Sequence, residues 1–135
     1  MNVEKQRIAI AEACGWKLNF DNPKCGWYWT NPDGFEVAWS DCIKPLSIDS
    51  CLPDYLSDLN AMHEAEKFLG KSIFLYSFEL WRIVYGKDIS LLEEYDEEGN
   101  CLAEGYEEQA VAAMIHATAA QKAEAFLKAL KEWDE

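Results

Sequence analysis

The spacing of hydrophobic residues changes several times along this chain, and each change marks an element. In residues 2–14, Val3, Ile8, Ala11 and Cys14 recur at helical spacing; Asn2 stands where a cap belongs and Gly15 where a left-handed stop belongs. The period then shortens. Trp16, Leu18 and Phe20 alternate with Lys17 and Asn19, the pattern of a strand with one buried face. Residues 27–30 and 35–39 flank Asn31-Pro32-Asp33-Gly34, whose Pro and Asp-Gly suit a tight turn, so a β-hairpin and three antiparallel strands are predicted.

Pro45 and Pro53 among Ser and Asp predict a loop over residues 40–56. From Ser57 or Asp58 the period is helical again, with Leu59, Met62, Ala65, Phe68 and Leu69 on one side and Gly70 as the stop. Residues 73–85 are nearly all apolar, which suits a buried strand, but their length and the Phe74, Phe78, Trp81, Tyr85 spacing favour a helix. Residues 106–116 fit either a helix or a strand. The last helix opens on Thr118-x-x-Gln121, a capping box, and carries Ala123, Phe126, Leu127, Leu130 and Trp133 as one stripe, with Lys122, Glu124, Lys128 and Lys131 outside it. There is no internal repeat. The expected fold is α+β, a single domain over residues 1–135.

Composition narrows the function classes. The chain has 135 residues, half of them hydrophobic and including six Trp, six Tyr and six Phe, enough to bury one core. Twelve basic residues against 25 acidic ones leave a net charge of −13, a field that repels nucleic acid and anionic membranes. Five cysteines at irregular spacing, without C-x-x-C, read as reduced thiols rather than a disulfide framework or zinc knuckle. No apolar run at the start is long enough for a signal peptide or membrane span, so an intracellular location is expected.

Candidate chemistry is sparse. His63, beside Glu64, is a possible general base or ligand, but H-E-x-x-H fails at Lys67, and a surface histidine is the plainer reading. His116, just before the Thr118 cap, suits a structural hydrogen bond. Between Lys87 and Lys122 every charge is acidic. Glu94, Asp96, Glu98 and Gly99 imitate half of an EF-hand loop, but the closing glutamate position is Gly105, so no metal site is assigned. Glu93, Glu94, Asp96, Glu97 and Glu98 are either a solvated loop or an acidic partner-binding surface that imitates DNA phosphates. In the hairpin, Trp27 and Trp29 share one face and Tyr28 takes the other; with Trp39 they are core, or they line a pocket that stacks a flat ligand while Arg82 receives phosphate. Nucleophile elbows, P-loops and dinucleotide fingerprints are missing from the sequence, and no cofactor is assigned.

Two segments, residues 52–67 (LPDYLSDLNAMHEAEK) and 117–130 (ATAAQKAEAFLKAL), resemble small acidic phage and prophage proteins of the phage ABA-sandwich family. The resemblance implies an α/β/α layered sandwich with a central, mainly antiparallel sheet, and transfers no catalytic residue. Lys122 departs from the arginine common there, and the aromatic stretch of residues 73–85 is unlike the family. The resemblance implies a small phage or prophage accessory protein; because phage genes of this size and type often act against host defences, the expected function is non-enzymatic sequestration that counters a defence system in the host cytoplasm. The expected ligand is a nucleotide-like signal in an aromatic-lined pocket with Trp27, Trp29, Trp39, His63, Arg82 and His116. The rival readings are an acidic DNA mimic bound to a basic host protein, a phage assembly protein, and a small hydrolase using His63. Homo-oligomerisation is left open; direct contact with nucleic acid or membrane is not expected.

Overall fold

Helix α1 (Val3–Ala13) starts where the Asn2 side chain accepts the Lys5 backbone N–H at 2.8 Å, and it ends at Gly15, whose φ of +93° only glycine adopts freely. The computed structural model describes residues 1–21, 26–41, 52–86 and 106–133, and the order continues with a small sheet. Strands β1 (Lys17–Asp21), β2 (Gly26–Thr30) and β3 (Glu36–Asp41) pair antiparallel in chain order. Asn31 makes the expected hairpin turn: its side-chain oxygen accepts the N–H groups of Asp33 and Phe35, and Gly34 takes a φ of +88°. A bulge between Tyr28 and Trp29 shifts the β2–β3 register.

Asp58 caps α2 (Leu59–Glu66) by accepting from the Asn60 N–H. A 3₁₀ turn at Gly70–Ser72 leads into α3 (Ile73–Tyr85), the helix favoured by length over a strand. Residues 106–116 resolve as α4 (Tyr106–His116), and α5 (Ala119–Ala129) closes the chain. Both halves of the Thr118–Gln121 capping box form. The chain is therefore α+β; its described residues hold five α-helices and one three-stranded antiparallel sheet.

The core gathers around α5, which packs on α1, α2 and α3, while α4 packs on α3. Ala123, Phe126 and Leu127 meet Ile10 and Ala11 of α1, Met62 and Ala65 of α2, and Tyr76 and Leu80 of α3 in one cluster. Trp29 brings the sheet into that cluster, with Trp16 and Leu18 half-buried against it. Trp81 donates its indole N–H to Gln109 at 2.9 Å, fixing α4 to α3.

Several faces turn differently from the sequence pattern. In α1 the buried positions are Arg7, Ile10 and Ala11, and Val3 is exposed. Arg7 can be buried because its guanidinium donates to the carbonyls of Leu52 (2.8 Å) and Pro53 (3.3 Å), chain that lies beyond the sheet in sequence. In α3 the buried side is Tyr76, Leu80 and Trp81, leaving Phe74 in solvent. Phe20 is also exposed, tilted against Trp27 with ring centroids 5.0 Å apart. Among the described residues no helix is long and apolar enough to cross a membrane.

Candidate functional site

Helices α3 and α5 pack closely and end near one another, so cations from distant sequence meet. Arg82 stands in the last turn of α3, Lys128 in the last turn of α5, and Lys131 and Trp133 follow the α5 cap. Together with Glu79 they line an open cleft of about 420 Å3. Cations at a helix C-terminus are favoured by the partial negative charge of the last carbonyls, which lets them gather despite their mutual repulsion.

The electrostatics are uneven within the cleft. Arg82 Nη1 pairs with Glu79 at 3.2 Å, and Lys128 Nζ pairs with Glu124 at 2.5 Å. Lys131 has no acidic partner among the described residues. Arg82 Nε is shut from solvent and has no acceptor among the described residues. The Lys128 ammonium sits 5.5 Å from the Trp133 ring centroid, a cation–π contact that holds the indole beside the cations. Among the described residues that line the cleft or pair with its lining, three cations stand against Glu79 and Glu124, a local positive excess on a chain of net charge −13.

The backbone at Lys131 is unusual. The Lys131 N–H donates to the Lys128 carbonyl and the Glu132 N–H to the Leu127 carbonyl, a Schellman closure that requires a left-handed residue at position 131. Glycine is the usual occupant, yet Lys131 adopts a φ of +61° there, a conformation that costs a side-chain-bearing residue about 1–2 kcal/mol. The strained position carries a cation into the cleft.

The other sequence candidates are dispersed. Trp29 is 1% exposed and is a core residue, its indole N–H without an acceptor among the described residues. Trp27 is half-buried against Phe20, and Trp39 pairs with Tyr28 across strands β2 and β3. His63, with its side chain 71% exposed, meets Glu66 at 3.4 Å but is bonded to no hydroxyl or thiol among the described residues. His116 is exposed at the end of α4. Glu93, Glu94, Asp96, Glu97 and Glu98, with the EF-hand-like stretch, lie outside the described residues. Of the residues expected around a ligand, Arg82 lines this cleft, and Trp27, Trp29, His63 and His116 are not among its lining. The pattern of the last helix puts Trp133 on its apolar stripe and Lys128 and Lys131 outside it. The available signal was the concentration of lysines in the last helix of an acidic chain.

A second polar cluster is structural. The Tyr76 hydroxyl donates to Glu66 Oε1, which also meets Lys122 Nζ at 3.1 Å. The side chains of Glu66 and Lys122 are each 12% exposed, so this ion pair joins α2 to α5 largely out of water, while Tyr76 adds α3. Burial, then the facing carboxylate, push the Tyr76 phenol far upward, and it remains a donor at any working pH.

Cys14 is a buried free thiol whose ionisation is pushed up to about 12 by burial alone. The unfolded chain ionises this thiol near its ordinary value of 9.0, so its contribution is intact below pH 9 and is lost as pH rises toward 12. Tyr55, also raised by burial, acts in the same direction at still higher pH. The urea midpoint is expected to fall between about pH 8 and about pH 11, and to fall less in Cys14→Ala. Equal alkaline losses in the two proteins would rule out this assignment. Comparison with protein-family models, curated proteins and solved structures yields no match, so the resemblance to phage ABA-sandwich proteins rests on residues 52–67 and 117–130 alone.

Proposed function

We propose that this protein is a non-enzymatic binder that captures a phosphate-bearing, ring-containing small molecule, nucleotide-like in chemistry, at the ends of α3 and α5. The observation that carries the reading is the meeting of Arg82, Lys128, Lys131 and Trp133 around one cleft. Arginine offers a planar fork of donors to phosphate oxygens, lysine a movable point charge, and an indole face stacks a flat base. The chain's overall field opposes an anion at long range, and the local excess of cations reverses it at short range. In the phage setting that the sequence resemblance implies, removing such a molecule from solution disarms a host signal.

A ligand that binds only the folded state at about 100 times its Kd adds about 2.7 kcal/mol of stability. Nucleoside di- and triphosphates are therefore expected to raise the melting temperature, whereas the matching nucleosides leave it unchanged. Arg82→Ala is expected to remove the rise. A rise that survives in Arg82→Ala, or none with any phosphate compound, would count against the site. The rival reading, an acidic DNA mimic over residues 88–108, keeps the support of the charge run. It predicts salt-sensitive binding of a basic protein, lost when Glu93, Glu94, Glu97 and Glu98 are changed to lysine.

A further inference from the structure

On the other side of the α5 terminus the surface has the opposite chemistry. Ala9 and Ala13, one turn apart on α1, face Phe68 and Leu130 across an open groove of about 400 Å3, with Glu12 and Glu132 also lining it. The two alanines lack bulk, so a visiting chain can approach α1 closely, and Phe68 stands half out into solvent at 50% exposure. Phe68 is shared with a second cleft of about 300 Å3, lined among others by Trp16, Pro53 and Tyr55. The two clefts thus meet at one exposed aromatic ring.

The charges on this surface are open. Glu64, Glu66, Glu79 and Glu124 each hold a lysine or arginine, whereas Glu12 and Glu132 have no basic partner among the described residues. An apolar floor flanked by two uncompensated carboxylates matches a chain segment with apolar anchors and flanking lysines or arginines. A second copy of this protein is disfavoured, because each copy carries a net charge of −13.

We infer that the Phe68 groove is a docking surface for a basic amphipathic segment of a partner protein, independent of the cation-lined cleft. The test uses a lysine–leucine amphipathic peptide, a lysine–serine analogue of equal charge, and fluorescence anisotropy at two salt concentrations. The leucine peptide is expected to bind, with the serine peptide at least about tenfold weaker, since the apolar anchors supply most of the affinity. Glu12→Lys with Glu132→Lys is expected to weaken binding at least about tenfold, and Phe68→Ser to do the same. The pair Glu36→Lys with Glu108→Lys changes net charge equally on exposed sites outside the groove and is expected to have a much smaller effect. Equal losses in the two charge-reversed proteins would assign binding to the general acidic field and overturn the inference. So would equal binding of the two peptides, unchanged binding in Phe68→Ser with the circular dichroism spectrum intact, or no binding of the leucine peptide.

Discussion

Replacing Glu66 by leucine is expected to cost about 3–5 kcal/mol, far more than removing an ion pair on the surface, where the typical effect is about 0–1 kcal/mol. The difference comes from what remains behind. Glu66 accepts from the Tyr76 hydroxyl and meets Lys122 at 3.1 Å, and the side chains of Glu66 and Lys122 are mostly out of water. Without the carboxylate, an ammonium and a phenol are left in the interior with their principal acceptor gone, and each carries its desolvation cost uncompensated. Removing both charges tells a different story. Glu66→Leu with Lys122→Met leaves no unpaired ion and adds apolar contact, so the double variant is expected to recover most of the loss. Urea unfolding of the three proteins measures both values. A double variant as unstable as Glu66→Leu would show that the pair matters through packing and not through charge.

Phe126→Ala is expected to destabilise by a similar amount, about 3–5 kcal/mol, through lost burial and the cavity left behind. Phe126 is fully buried in α5, the helix on which α1, α2 and α3 converge, so three elements would have to shift to fill the void. Leu130, on the same helix, is only half-buried beside the Phe68 groove, and Leu130→Ala is expected to cost clearly less. A comparable loss for the two substitutions, measured by thermal and urea unfolding, would contradict the placement of the core around Phe126.

What the sequence revealed divides by the range of the forces involved. Asn2 and the Thr118–Gln121 box cap their helices as expected because a cap is settled within three residues, and of the two starts open for the second helix, Ser57 and Asp58, it is Asp58 that caps it. The Asn31–Gly34 turn is equally local. Residues 73–85 form the expected helix, but the buried face is Tyr76, Leu80 and Trp81 because nearly every position is apolar and its neighbours α4 and α5 choose the orientation. Arg7 was unreadable as a buried residue, since its acceptors at Leu52 and Pro53 lie 45 and 46 positions away. The cation-lined cleft was hidden for the same reason. Arg82 and Lys131 become neighbours only when α3 and α5 pack, and nothing local in Ala-Leu-Lys-Glu-Trp announces that Lys131 takes a glycine's backbone conformation.

That conformation supplies the most direct test of ligand capture. Lys131→Gly removes one cation from the cleft and relieves a left-handed backbone position, so stability and binding should move in opposite directions. Calorimetric titration of wild type and Lys131→Gly with a nucleoside triphosphate, alongside their melting temperatures, reads both at once. The account predicts that the glycine variant is more stable by about 1 kcal/mol and melts roughly 3–5 °C higher, yet binds the nucleotide at least about tenfold more weakly. A glycine variant that binds as tightly as wild type, or a wild type that releases no heat of binding with any phosphate ligand, would contradict it.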